Sequence, residues 1–160
     1  MEIDFGFLAD AAAVDNSGKL SVLGIFDRIH AAEFPARHGR VSLVLRFSAG
    51  IEDVGSRQIE IRLRGPHGQE ILRLDGRMDL ATGSTAAEER VRVPHILNLD
   101  GIAFPEPGRY YFDISADNEP LLSIPLHLDH ATRAGAPGPR LTGPGGAPPF
   151  SFGPIGSAQA

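Results

Sequence analysis

The chain has 160 residues, 42% of them apolar and 22% charged, which is enough for one core of globular proportions. A net charge of −5 argues against a nucleic-acid binder, which needs a basic face for phosphates, and the lack of cysteine excludes disulfides, thiol catalysis, thiolate zinc sites and iron–sulfur clusters. The opening Met1-Glu2-Ile3-Asp4-Phe5 lacks the cationic start and apolar run of a signal peptide, and no window approaches 18 apolar residues, so a cytoplasmic bacterial protein off the membrane is expected.

In chain order, the dominant periodicity is two. Ile3 to Ala12 reads as a first strand, with a helical end open at Ala11-Ala12-Ala13. The turn signal Asp15-Asn16-Ser17-Gly18 joins it as a hairpin to a strand from Lys19 to Phe26. From Arg40 to Phe47, Val41, Leu43, Leu45 and Phe47 alternate with Arg40, Ser42, Val44 and Arg46; the first set points to a core and the second mostly to water. Gln58 to Arg64 repeats the scheme, with Ile59, Ile61 and Leu63 opposite Glu60, Arg62 and Arg64. Glu70 to Leu74 follows the turn Gly65-Pro66-His67-Gly68. Ala81 to Glu89 reads as a loop. Arg90 to Leu99 is a longer strand bent at Pro94, Arg109 to Ala116 follows Pro105-Glu106-Pro107-Gly108, and Leu121 to Leu128 follows Asp117-Asn118-Glu119-Pro120. The gaps are too short for crossover helices, so the pairing is expected to be antiparallel. About eight strands so spaced predict an all-β antiparallel sandwich over residues 1–130. The turn and strand from Phe104 to Ile114 resemble the immunoglobulin and fibronectin-type corner, in which a tyrosine hydroxyl ties the turn to nearby backbone; Tyr110 and Tyr111 both qualify.

Residues 131–160 hold seven glycines and six prolines. Too little apolar area is available there to offset the entropy of ordering, which predicts a disordered tail. Within it Phe150, Phe152 and Ile155 form an apolar island suited to docking in a groove or adding to a sheet edge.

Chemistry-bearing clusters are few. His127, Asp129 and His130 gather at the end of the last predicted strand, and a divalent metal held there with loop carboxylates is the enzymatic or ligand-binding alternative; a solvated strand end is the reading preferred, with no metal, cofactor or catalytic residue assigned. There is no Gly-x-Ser-x-Gly elbow and no phosphate loop. Without tryptophan and with only two tyrosines, the chain lacks an aromatic platform for sugars, and no small-molecule substrate is identified. Gly24 inside a strand predicts a bulge or a close approach by another element. Asp10, Asp27 and Arg28 are expected to form a structural ion-pair set, with Asp10 and Arg28 meeting across the first two strands.

The run Phe7-Leu8-Ala9-Asp10-Ala11, Asn16-Ser17-Gly18-Lys19-Leu20, Leu23-Gly24-Ile25-Phe26-Asp27-Arg28-Ile29 and Phe34-Pro35, with Gly108, Tyr110, Phe112 and Ile114 later, resembles a family of uncharacterised bacterial proteins sharing a domain of unknown function, DUF6941. The resemblance spans roughly residues 5–128. It implies a non-secreted bacterial β domain and brings no activity, cofactor or catalytic residues. The expectation is thus a non-enzymatic module that binds a protein partner or itself, or else a structural subunit of a larger bacterial or phage-derived assembly.

Overall fold

A computed structural model describes residues 1–80 and 90–131. The described residues form nine strands: β1 (Glu2–Val14), β2 (Leu20–Phe26), β3 (Arg28–Ala31), β4 (Ala36–Ala49), β5 (Gly55–Arg64), β6 (Glu70–Leu80), β7 (Val91–Phe104), β8 (Gly108–Ala116) and β9 (Glu119–His130), with a single 3-10 turn at Ile51–Asp53. The predicted tail island Phe150, Phe152 and Ile155, and the predicted loop 81–89, lie outside the described residues.

The strands form two sheets, ordered β2-β1-β4-β7 and β3-β9-β8-β5-β6. Alternate residues of β4, β5, β8 and β9 meet between them in one cluster, including Leu43, Phe47, Leu63, Phe112 and Leu126. The hairpins follow from their turn residues. Asp15 Oδ1 accepts from the Ser17 and Lys19 N–H groups at 2.8 and 2.9 Å, and Gly18 takes a φ of +81° that suits glycine. Asp117 and Asn118, at φ +49° and +70°, make the two-residue turn from β8 into β9.

The helical end left open for the first strand does not form: β1 remains extended through Ala11-Ala12-Ala13, because its ladder with β2 continues to Val14 and Leu20. Three expectations are corrected. The strand count is nine, because Arg28–Ala31 forms a short edge strand of four residues, too brief to announce itself by alternation. Its pairing with β9 is parallel, since the chain crosses from one sheet to the other at Asp27 before running beside the last strand; antiparallel pairing is therefore not universal. Finally, Ser42 and Val44 are fully buried although they lie on the face of β4 away from the core, because β4 is an inner strand flanked by β1 and β7.

Two close approaches fix the sheets. A Cβ on Gly6 would stand 2.5 Å from Leu122 Cδ2 and 2.9 Å from Ile124 Cδ1, so glycine lets β1 approach β9. At Gly24 (φ +66°) a Cβ would overlap the Asp10 carboxylate across the β1–β2 ladder. The register is the same on both sides of this pair, so Gly24 marks a close approach and not a bulge.

Candidate functional site

Residues paired across a ladder share a face, which allows the outer surface of each sheet to be read row by row. On the first sheet, Leu8 pairs with Leu43 and both belong to the core cluster. The opposite face therefore carries Ile25, Ala9, Ser42 and Asn98 in one row, with Phe7, Val44 and Ile96 in the next. A register shift between Ile3 and Phe5 reverses the facing of β1: Ile3 packs on the core, while Phe5 and Phe7 turn outward. Their rings stack with centroids 5.5 Å apart, and the Arg46 guanidinium lies 4.6 Å above Phe5.

This outer face is apolar at its centre. Val44 is fully buried but is not part of the core cluster; Phe7 and Ile96 flank it instead. At the β2 edge, Leu23 and Ile25 are 71% and 64% exposed, opposite Ala11 and Ala9. Of these alanines Ala9 is fully buried and Ala11 is exposed. Polar groups border the patch. Asp4 accepts from Arg46 at 3.0 Å and Arg92 at 3.2 Å, Arg40 holds Asp100 through two hydrogen bonds of 2.7 and 3.2 Å, and Ser42 Oγ donates to Asn98 Oδ1 at 2.7 Å. These bordering charges are exposed and already paired.

The second sheet presents a different surface. Its outer side bears a groove of about 580 Å³ lined in part by Glu60, Arg62, Arg64, Asp113 and Ser123. Arg62 and Arg73 face each other across β5 and β6, and Glu60 bridges both. Arg64 and Ser123 donate to Asp113. Burial pulls the Asp113 carboxyl upward, but these hydrogen bonds and the Arg64 charge outweigh it and hold the group below the usual carboxylate range. A groove whose named charges satisfy one another offers a ligand only exchange of existing bonds.

The residues singled out in the sequence are placed as follows. Arg28 is bonded to Asp129 across the parallel β3–β9 edge and does not meet Asp10. The Asp27 carbonyl accepts from the His127 N–H at 2.8 Å, and Asp10 sits against Gly24; neither carboxylate is in an ion pair among the described residues. His130 packs edge-on against Phe34, with centroids 5.0 Å apart. Asp129 is thus engaged by a cation, and among the described residues no group of three or more His, Asp or Glu side chains is arranged to hold a metal. Of the two candidate corner tyrosines, Tyr110 fills the role: it is fully buried, and its hydroxyl donates to the Glu106 carbonyl at 2.7 Å. Sequence reasoning missed Leu23, Ile25, Phe5 and Phe7 as surface residues. Two apolar side chains at period two on an edge strand were the available signal.

No curated protein matches the chain. Residues 4–129, which reach from β1 to β9, match the model of a family of unknown function, DUF6941. Both segments that carried the resemblance, the β1–β3 stretch and the Gly108–Ile114 strand, fall within that match. The chain belongs to the DUF6941 family.

Proposed function

We propose that this chain is a non-catalytic protein-interaction or assembly module whose contact surface is the outer face of the first sheet. The observation that carries the reading is the exposure of Leu23 and Ile25, 71% and 64%, on a face whose other apolar side chains stand apart from the core. Burying such side chains against a partner is worth about 25 cal/mol per Å² of apolar surface, and two large apolar side chains left exposed side by side suit a contact surface. The paired charges at the border suit the rim of an interface, where exposed ion pairs add specificity more than affinity.

The scaffold is read as an immunoglobulin-like sandwich. The Tyr110 corner at the start of β8 supports this. Such a scaffold displays surfaces on rigid strands, and its function resides in those surfaces.

The test places a photo-crosslinking side chain at position 23 of the full chain, expressed in its source organism, with position 62 on the ionic groove as the control. A discrete crosslinked product, either a second copy or one protein partner, is expected from position 23 and not from position 62. Absence of a product from 23, or the same products from both, overturns the proposal.

A further inference from the structure

We infer that the outer face of the first sheet is covered intramolecularly by the chain's own C-terminal segment, Phe150 to Ile155. This deepens the proposed function and rests on it: the segment occupies the surface that a partner would use.

Three observations converge. The first is the match of spacing. Leu23 and Ile25 lie two residues apart on β2 and are largely exposed, opposite Ala11 and the fully buried Ala9 of β1. In an extended chain, residues i and i+2 project to the same side about 6.6–6.8 Å apart. Phe150 and Phe152 have that spacing, so each ring can be set against one of the exposed Leu23 and Ile25 side chains, beside the exposed Ala11.

The second is reach. The chain leaves β9 at Ala131, where its N–H donates to the Ala31 carbonyl at 2.7 Å. The residues between Ala131 and Phe150 extend to at most about 60 Å. A domain of this size is about 36 Å across, from a radius of gyration of about 14 Å. The segment therefore reaches the face of its own domain, and tethering holds it there at an effective concentration of order millimolar.

The third is charge. Two of the 15 basic residues, Arg133 and Arg140, follow Ala131, and none of the 20 acidic residues does. A cationic segment is attracted to the acidic domain that carries it. The rival occupant, a second copy pairing along the β2 edge, meets an obstacle. Gly24, at φ +66°, departs from extended geometry in the middle of that seven-residue strand and interrupts the row of groups an incoming strand would bond.

The experiment compares methyl NMR spectra of the full chain with those of the full chain carrying Phe150→Ala and Phe152→Ala. The methyls of Ala11, Leu23 and Ile25 are expected to shift, those of Leu43 and Leu126 in the core to remain fixed, and the differences to persist on dilution. Unchanged outer-face methyls overturn the inference. Differences that vanish on dilution also overturn it, because the face is then covered by a second copy. The crosslinking at position 23 separates this from the proposed function. Unchanged spectra with an intact crosslink remove the tail alone; shifted spectra without a crosslink, even in the double variant that uncovers the face, remove the partner alone.

Discussion

Tyr110 is tied to Glu106 by a reciprocal pair of hydrogen bonds: its hydroxyl donates to the Glu106 carbonyl at 2.7 Å and accepts from the Glu106 N–H at 3.3 Å. The ring packs edge-on against Phe104, with centroids 5.2 Å apart, so one side chain fixes both the turn between β7 and β8 and the floor of the core. Tyr110→Phe keeps the packing and removes the tie. A loss of about 1.5 kcal/mol is expected, read as a lower urea midpoint at unchanged slope. Burial also pushes the Tyr110 phenol upward from its ordinary value. The neutral form is thus favoured by folding: the stabilisation is complete below about pH 10 and is lost as pH rises through the folded value. Tyr110→Phe removes that alkaline slope; a slope identical in both proteins would count against the assignment.

Asp53 gives the opposite sign. It is 6% exposed and accepts from the Met1 amino group at 2.5 Å and from the Gly50 N–H at 2.9 Å. The hydrogen bond from the Met1 amino group leads in holding its carboxyl below the usual carboxylate range. The stabilisation is therefore present above the ordinary aspartate value and is lost as pH falls through the folded one. Asp53→Asn leaves a buried ammonium without its counter-charge, at a cost of about 3 kcal/mol near neutrality. Urea titrations between about pH 2 and 7 are expected to show the wild-type midpoint falling at the acid end and the variant's changing less; parallel curves would exclude Asp53 as the group responsible.

The strands of the core were legible because burial on one side writes itself as alternation. Val41-Leu43-Leu45-Phe47 and Ile59-Ile61-Leu63 point inward as their spacing requires. The candidate surface was not legible for two physical reasons. The irregularity at Asp4 reverses the facing of β1, so Ile3, Phe5 and Phe7 look like one apolar side in the sequence yet divide between core and surface. Burial by lateral neighbours is also invisible to periodicity: Ser42 and Val44 sit on the outward side of an inner strand and are covered by β1 and β7. The ion pair of Arg28 depended on a parallel partner strand a hundred residues away, and no local pattern encodes which acid that strand supplies.

Gly24 separates steric overlap from backbone strain. Gly24→Ala introduces a Cβ that overlaps the Asp10 carboxylate and also demands φ +66° of an L-residue. The dihedral alone costs about 1–2 kcal/mol. Asp10 is exposed, so its side chain can swing away. The strain is therefore expected to dominate, and Gly24→Ala should lose about as much stability in an Asp10→Ala background as alone. Rescue by Asp10→Ala in equilibrium unfolding would show instead that the overlap costs more than the dihedral.

The outer face predicts a dissociation between stability and binding. Leu23 and Ile25 are largely exposed and contribute little to the folded monomer, so Leu23→Asp and Ile25→Asp are each expected to change unfolding free energy by no more than about 0.5 kcal/mol. Val44 lies on the same face but is fully enclosed. Val44→Ala removes two methyl groups from a packed site and is expected to cost about 2 kcal/mol. Association must follow the reverse order. Either aspartate, placed in a desolvated contact, should sharply weaken the position-dependent association of this face, whereas Val44→Ala, at a fully buried side chain flanked by Phe7 and Ile96, should leave it nearly intact. Urea unfolding, paired with sedimentation or crosslinking of the same variants, reads both quantities. If Val44→Ala abolished association while Leu23→Asp preserved it, the contact would depend on the rigidity of the sheet and not on the apolar surface that β2 presents.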